Sequence, residues 1–173
     1  MMALAAVAVV VVLVAVGVAK LLSGSSDRPE RPAAAPGPTG ASPGLSGPTA
    51  VPCPAEHHDG LVVGNGAGDT VDGPEAILGF EHAYYTDRSG ELARRFVAAD
   101  TANVTDAAGL QRAIDSQIPA GTGYCVRITT RDPQFFDVDV DEYRPDGRHQ
   151  TYRQSVRTVD RDGRTLLYQI LAR

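Results

Sequence analysis

The sequence predicts an α+β domain behind a membrane anchor: three short helices followed by a coiled, four-stranded antiparallel meander. Three observations predict it. Two glycine-closed turns, Pro145-Asp146-Gly147 and Arg161-Asp162-Gly163, separate runs that alternate apolar and polar residues. Even-numbered positions carry the apolar side chains in four such runs between Tyr124 and Leu171. Ahead of them, apolar residues recur at three- and four-residue intervals from Ile77 to Ile118. A period of two puts alternate side chains on opposite faces of a strand, and a period near 3.6 stripes one side of a helix.

The chain opens on 18 consecutive apolar residues, Met2 to Ala19, closed by Lys20 and Leu21-Leu22. About 20 residues of helix cross the hydrocarbon core of a bilayer, so residues 1–22 form a transmembrane candidate in contact with lipid. A cleaved signal peptide would begin with a basic residue and carry an apolar run of about 7–15, and neither condition holds. The bases after the run, Lys20, Arg28 and Arg31, would by themselves hold the following part in the cytoplasm. Asp27 and Glu30 dilute them, and the proline-rich stalk and paired cysteines point the other way. The expectation is a single-pass, uncleaved signal anchor in the plasma membrane with everything after Leu22 extracytoplasmic.

Residues 23–54 read as a linker. Eight of the twelve prolines lie between Pro29 and Pro54, among Gly, Ser, Ala and Thr. Such a composition buries no core and samples extended states. The folded domain then covers 55–173. His57-His58-Asp59 has no further ligands nearby to complete a metal site. The glycine loop Gly64-Asn65-Gly66-Ala67-Gly68 lacks the GKS ending and the immediate helix of a phosphate cradle. Both are read as loops, with no metal and no cofactor expected.

The first helix starts at Asp72-Gly73-Pro74-Glu75, where an acid caps the end, proline fills the first turn and Glu stands third. Ile77, Phe80, Ala83 and Tyr84 form its apolar stripe. A second helix is expected from Glu91 to Ala98 around Leu92, Phe96 and Val97. A third, from near Thr105, presents Leu110, Ile114 and Ile118 until Pro119 ends it.

In the meander both turns fit three-residue loops. That register sets Arg144 opposite Arg148 and Asp160 opposite Arg164. The even face then holds Tyr124, Val126, Ile128, Phe136, Val138, Val140, Tyr152, Val156, Leu166, Tyr168 and Ile170. The odd, solvated face holds Arg127, Asp137, Asp139, Asp141, Arg153, Ser155 and Arg157, with Asp139 facing Arg153. The DxDxD spacing on that face is not a calcium loop, because Glu142 and Arg148 stand where such a loop needs Gly and Glu. Cys53 closes the stalk and Cys125 lies outward on the first strand of the meander. In an exported compartment the two are expected to form a disulfide that pins the arriving chain to that face.

Three helices ahead of a coiled meander, with a long first helix through Pro74-Glu75-Ala76-Ile77-Leu78-Gly79-Phe80, resembles the nuclear transport factor 2 superfamily of SnoaL-like proteins. The resemblance covers Asp72 to Leu171 and implies a cone-shaped domain. With the anchor and stalk, the whole chain is similar to membrane-anchored members of actinobacterial cell envelopes, including Mce-associated proteins and assembly factors of conjugation and type IV secretion machines. Enzymes of the superfamily set Asp, His or Tyr inside the cone. Here the inward face offers Tyr84, Tyr152, Gln154 and Tyr168 as a candidate pocket, with His82 nearby and no inward Asp or Glu on the strands.

A formal charge of −5 argues against a nucleic-acid surface, which needs a basic patch. The resulting expectation is an extracytoplasmic scaffold or protein-interaction module of the cell envelope, in a transport, secretion or conjugation assembly. It is not expected to be an enzyme, and self-association is left open. The alternative is a binder of a small hydrophobic or lipid ligand in the cone.

Overall fold

The computed structural model describes residues 51–173. The anchor candidate, residues 1–22, and all of the stalk up to Ala50 lie outside the described residues. Among those described, no helix is long and apolar enough to cross a membrane.

Nine elements follow one another in the described chain. They are β1 (Glu56–His58), β2 (Leu61–Gly64), α1 (Gly73–Tyr85), α2 (Gly90–Arg94), α3 (Ala107–Gln117), β3 (Gly123–Asp132), β4 (Phe135–Tyr143), β5 (His149–Arg161) and β6 (Arg164–Ala172). The strands form one antiparallel sheet in the order β1-β2-β3-β4-β5-β6. The expected four-stranded meander is therefore corrected to six strands, because a hairpin ahead of the helices adds two. Its turn is Asp59-Gly60, with φ of 45° and 76°. Positive φ at both central residues makes the tight turn whose twist matches paired strands. With strands of only 3 and 4 residues the hairpin shows little alternation, and His57-His58 reads as loop.

The helices start where the caps place them. Asp72 accepts from the Glu75 N–H at 2.9 Å, and Asp106 from the Gly109 N–H at 2.7 Å. The second helix is shorter than its apolar pattern suggests, because Val97 leaves it to bridge Leu167. Beyond it the chain runs along the free edge of β6. Ala98 N–H donates to the Leu167 carbonyl at 2.9 Å and Ala102 N–H to that of Tyr168 at 2.8 Å. Asn103 bonds both the carbonyl and the N–H of Ile170, at 2.6 and 3.1 Å. An uncovered strand edge invites foreign pairing, and this segment covers it.

The core lies between α1 and the inner face of the sheet. Ile77, Val126, Ile128, Val138 and Val140 are at most 1% exposed. The even-face parity holds through β3, β4 and the first half of β5, and the Pro145-Asp146-Gly147 loop sets Tyr143 against His149 as the predicted register requires. It fails on β6. The last turn has two central residues, Asp162-Gly163 with φ of 52° and 75°, so Arg161 opposes Arg164 and Asp160 opposes Thr165. That one-residue slip turns Leu167 inward and Leu166 outward, since side chains alternate with a period of two. A bulge follows: Arg157 opposes Gln169 while Thr158 opposes Leu167, leaving Tyr168 without a strand partner. The extra residue restores parity, and Ile170 returns to the core opposite Val156. Leu166, Val159 and Ala98 form a separate small cluster with Tyr168 packed on it.

Candidate functional site

Helix spacing stacks Ile77, Glu81 and Tyr85 in one column of α1, all buried. Beyond Ile77 this column is polar, and it meets polar groups of the sheet. Tyr85 Oη donates to Glu142 Oε2 at 3.1 Å. Glu142 is fully buried on β4, and Arg144 Nε donates to its other oxygen at 2.5 Å. Arg144 also donates to the Gln117 carbonyl at the end of α3, at 3.2 Å. The Tyr85 and Tyr124 rings stack with centroids 4.7 Å apart, and Tyr84 meets Tyr85 edge-on at 5.5 Å.

The electrostatics follow from burial. Glu81 is 4% exposed, and desolvation pushes its carboxyl from 4.5 up to about 8, so it is mostly protonated at neutral pH. Burial also raises Tyr84 and Tyr124 to about 12 and holds Tyr85 well above its ordinary value; negative charge on Glu81 and Glu142 adds to the effect on Tyr84 and Tyr85. Glu142 strengthens the proton affinity of Arg144. The phenols therefore stay protonated, and Glu142 is saturated by a guanidinium and a hydroxyl. The cluster is a closed polar core with little access for a reactant.

Tyr84 and Tyr152 pack half-buried against the core, and Gln154 lies on the same face opposite Val138 with Oε1 buried and unbonded. Tyr168 does not join them. The bulge turns it to the outer face, where the Arg157 guanidinium lies 5.1 Å from its ring and 5.4 Å from that of Phe135. The expectation that no acid points inward is likewise overturned by Glu142. Its even number, directly after Val138 and Val140, was the available signal. Glu81 could have been found four residues after Ile77 on the buried column.

A cleft of about 490 Å³ opens on the other side of α1, lined among others by Asp69, His82, Asp87, Arg95, Phe96 and Arg164. None of the four candidate-pocket residues lines it. His82 Nδ1 lies 3.1 Å from the Asn65 carbonyl, which also accepts from Tyr124 Oη at 3.0 Å. A carbonyl only accepts, so Nδ1 carries the proton and Nε2 faces Asp87 at 4.0 Å. The cleft mixes charges of both signs with apolar side chains, Ala83, Leu92 and Phe96 among them. Among the described residues no group of three or more His, Cys, Asp or Glu is placed to hold a metal ion.

On the outer face Cys53 and Cys125 form a disulfide, with Cα atoms 5.4 Å apart. Asp139 and Arg153 are cross-strand neighbours as predicted, but the ion pair of Asp139 is with Arg173, at 2.6 Å. Comparison with curated proteins and with solved structures gives no match. Residues 50–171, most of the chain, match the family described as Domain of unknown function (DUF8176), and the protein belongs to that family.

Proposed function

We propose that the protein is a membrane-anchored, extracytoplasmic scaffold or interaction module of the cell envelope. One observation carries the choice over a ligand-binding cone: Tyr168 lies apart from the other candidate-pocket residues. Tyr84 and Tyr152 pack half-buried against the core, Tyr168 is on the opposite face, and none of the four lines the cleft beside His82. The reading is supported by the disulfide, which suits an oxidising compartment, and by the apolar run that precedes the stalk.

The test has two parts. An export-dependent reporter fused after Arg173 is expected to be active, and a cytoplasm-dependent one silent; the reverse pattern overturns the topology. Crosslinking in intact membranes, followed by mass spectrometry of both proteins and extractable small molecules, is expected to give a discrete protein adduct. A stoichiometric small molecule without a protein adduct would overturn the scaffold reading.

A further inference from the structure

The outer face of the sheet carries a cluster of arginines that the fold does not neutralise. Asp137 is held by Arg131 and Arg173, Asp139 by Arg173, and Asp141 by His149 and Thr151. Arg127 and Arg153 flank Asp139 on the adjacent strands, are exposed, and make no ion pair among the described residues. Arg157 lies farther along β5 on the same face, between the Phe135 and Tyr168 rings. Phe135 and Leu171 stand close by, 44% and 48% exposed. Both are odd-numbered and outward, Phe135 opposite Arg157 and Leu171 opposite Ser155. The acid nearest the sheet edge, Glu56, is two strands from Arg127.

The disulfide decides what this face meets. Cys125 is two residues before Arg127 on β3, hence about 7 Å away on the same side. The chain arriving from the N-terminus is therefore bound to the domain on the arginine face. The tether therefore ends on that face, within reach of its origin. We propose that the outer face of the sheet, through Arg127, Arg153 and Arg157 with Phe135 and Leu171, docks on anionic phospholipid headgroups of the membrane to which the chain is anchored. Exposed arginines beside apolar side chains suit that interface, where the guanidinium meets phosphate and the apolar groups meet the acyl boundary. The inference rests on the membrane-anchored reading above.

The chain has no tryptophan, so Leu171→Trp gives a single reporter on the face and Ser116→Trp one on exposed α3, on the helical side. Each full-length, disulfide-bonded chain is placed in lipid nanodiscs of phosphatidylcholine, or of phosphatidylcholine with phosphatidylglycerol, containing a dansyl-labelled lipid. Energy transfer from the Leu171→Trp chain is expected to rise with phosphatidylglycerol and to exceed that of the Ser116→Trp chain. Arg127→Gln and Arg153→Gln should each lower the docked population roughly fivefold, the effect of one basic group at an anionic surface. Transfer that is equal from both positions, or indifferent to these substitutions, overturns the proposal. Transfer indifferent to lipid charge in a chain that has entered the discs also overturns it and leaves the face to a protein partner. A chain that fails to enter the discs at all overturns the anchored reading, and this one with it.

Discussion

Glu81 gives the sharpest test of the interior. Its carboxyl binds a proton in the folded protein up to about pH 8, whereas in the unfolded chain it titrates near 4.5. Between those values the folded state holds one proton more than the unfolded state. Unfolding free energy then falls as pH rises, by about 1.4 kcal/mol per pH unit. The sign is opposite to that of an ion-paired acid: the contribution is complete below pH 4.5, is lost progressively toward pH 8, and is constant above. Over the whole window the loss is on the order of 5 kcal/mol, comparable with the total stability of a small domain. Glu81→Gln removes the titration and keeps the shape. Any cost of burying the amide is independent of pH, and histidine titrations cancel between the two proteins. Urea unfolding of the disulfide-bonded domain, residues 51–173, is followed by circular dichroism from pH 5 to pH 8.5. The stability of the Gln protein relative to wild type is expected to climb by several kcal/mol across that range, with unchanged urea dependence. Parallel profiles for the two proteins would refute the burial argument.

Three further outcomes are expected. Val138→Asp should abolish folding, because it leaves a carboxylate in an apolar layer that is 0% exposed; Asp139→Ala should cost no more than about 1 kcal/mol. Equal melting shifts for the two would contradict the register of β4. Glu142→Ala should cost about 3 kcal/mol in urea unfolding, since it strands Arg144 and Tyr85 together, and a neutral effect would show that the pair is dispensable. Cys125→Ser should lower stability by at most about 4 kcal/mol, the chain-entropy limit for a loop of roughly 70 residues. Two alkylatable thiols in unreduced wild-type protein would show that the bond does not form.

Much of the sheet was legible in the sequence because its strands are solvated on one side. Where one face is wet, alternation reports both the strand and its orientation, and from Tyr124 to Val156 the faces are where parity puts them. Legibility ended where two different backbones satisfy the same letters. Arg161-Asp162-Gly163 serves a three-residue loop as well as it serves a two-residue loop between Arg161 and Arg164. The left-handed φ of Asp162 decides between them, and composition does not report it. The slip that follows exchanges Leu166 for Leu167, two leucines that hydropathy cannot tell apart. The bulge at Tyr168 then restores the predicted faces but not the predicted pairing, so that Val156 opposes Ile170 where the expected register sets Tyr168.

Tyr168 leaves the candidate pocket for that reason: an aromatic pattern is projected through a bulge that turns one of its members outward. Glu81 and Glu142 were missed for a different one. A carboxylate is assigned to solvent because burying its charge is costly, yet the cost is reduced when the acid keeps its proton or finds a guanidinium. Glu81 takes the first route and Glu142 the second. The same pairing logic separates the two faces of the sheet. Inside, the charge of Glu142 is matched by a neighbour. Outside, Arg173 occupies Asp139 and leaves Arg127 and Arg153 without a counter-ion from the fold. That excess lies on the face where the disulfide fastens the incoming chain, exposed to solvent and open to an anionic surface.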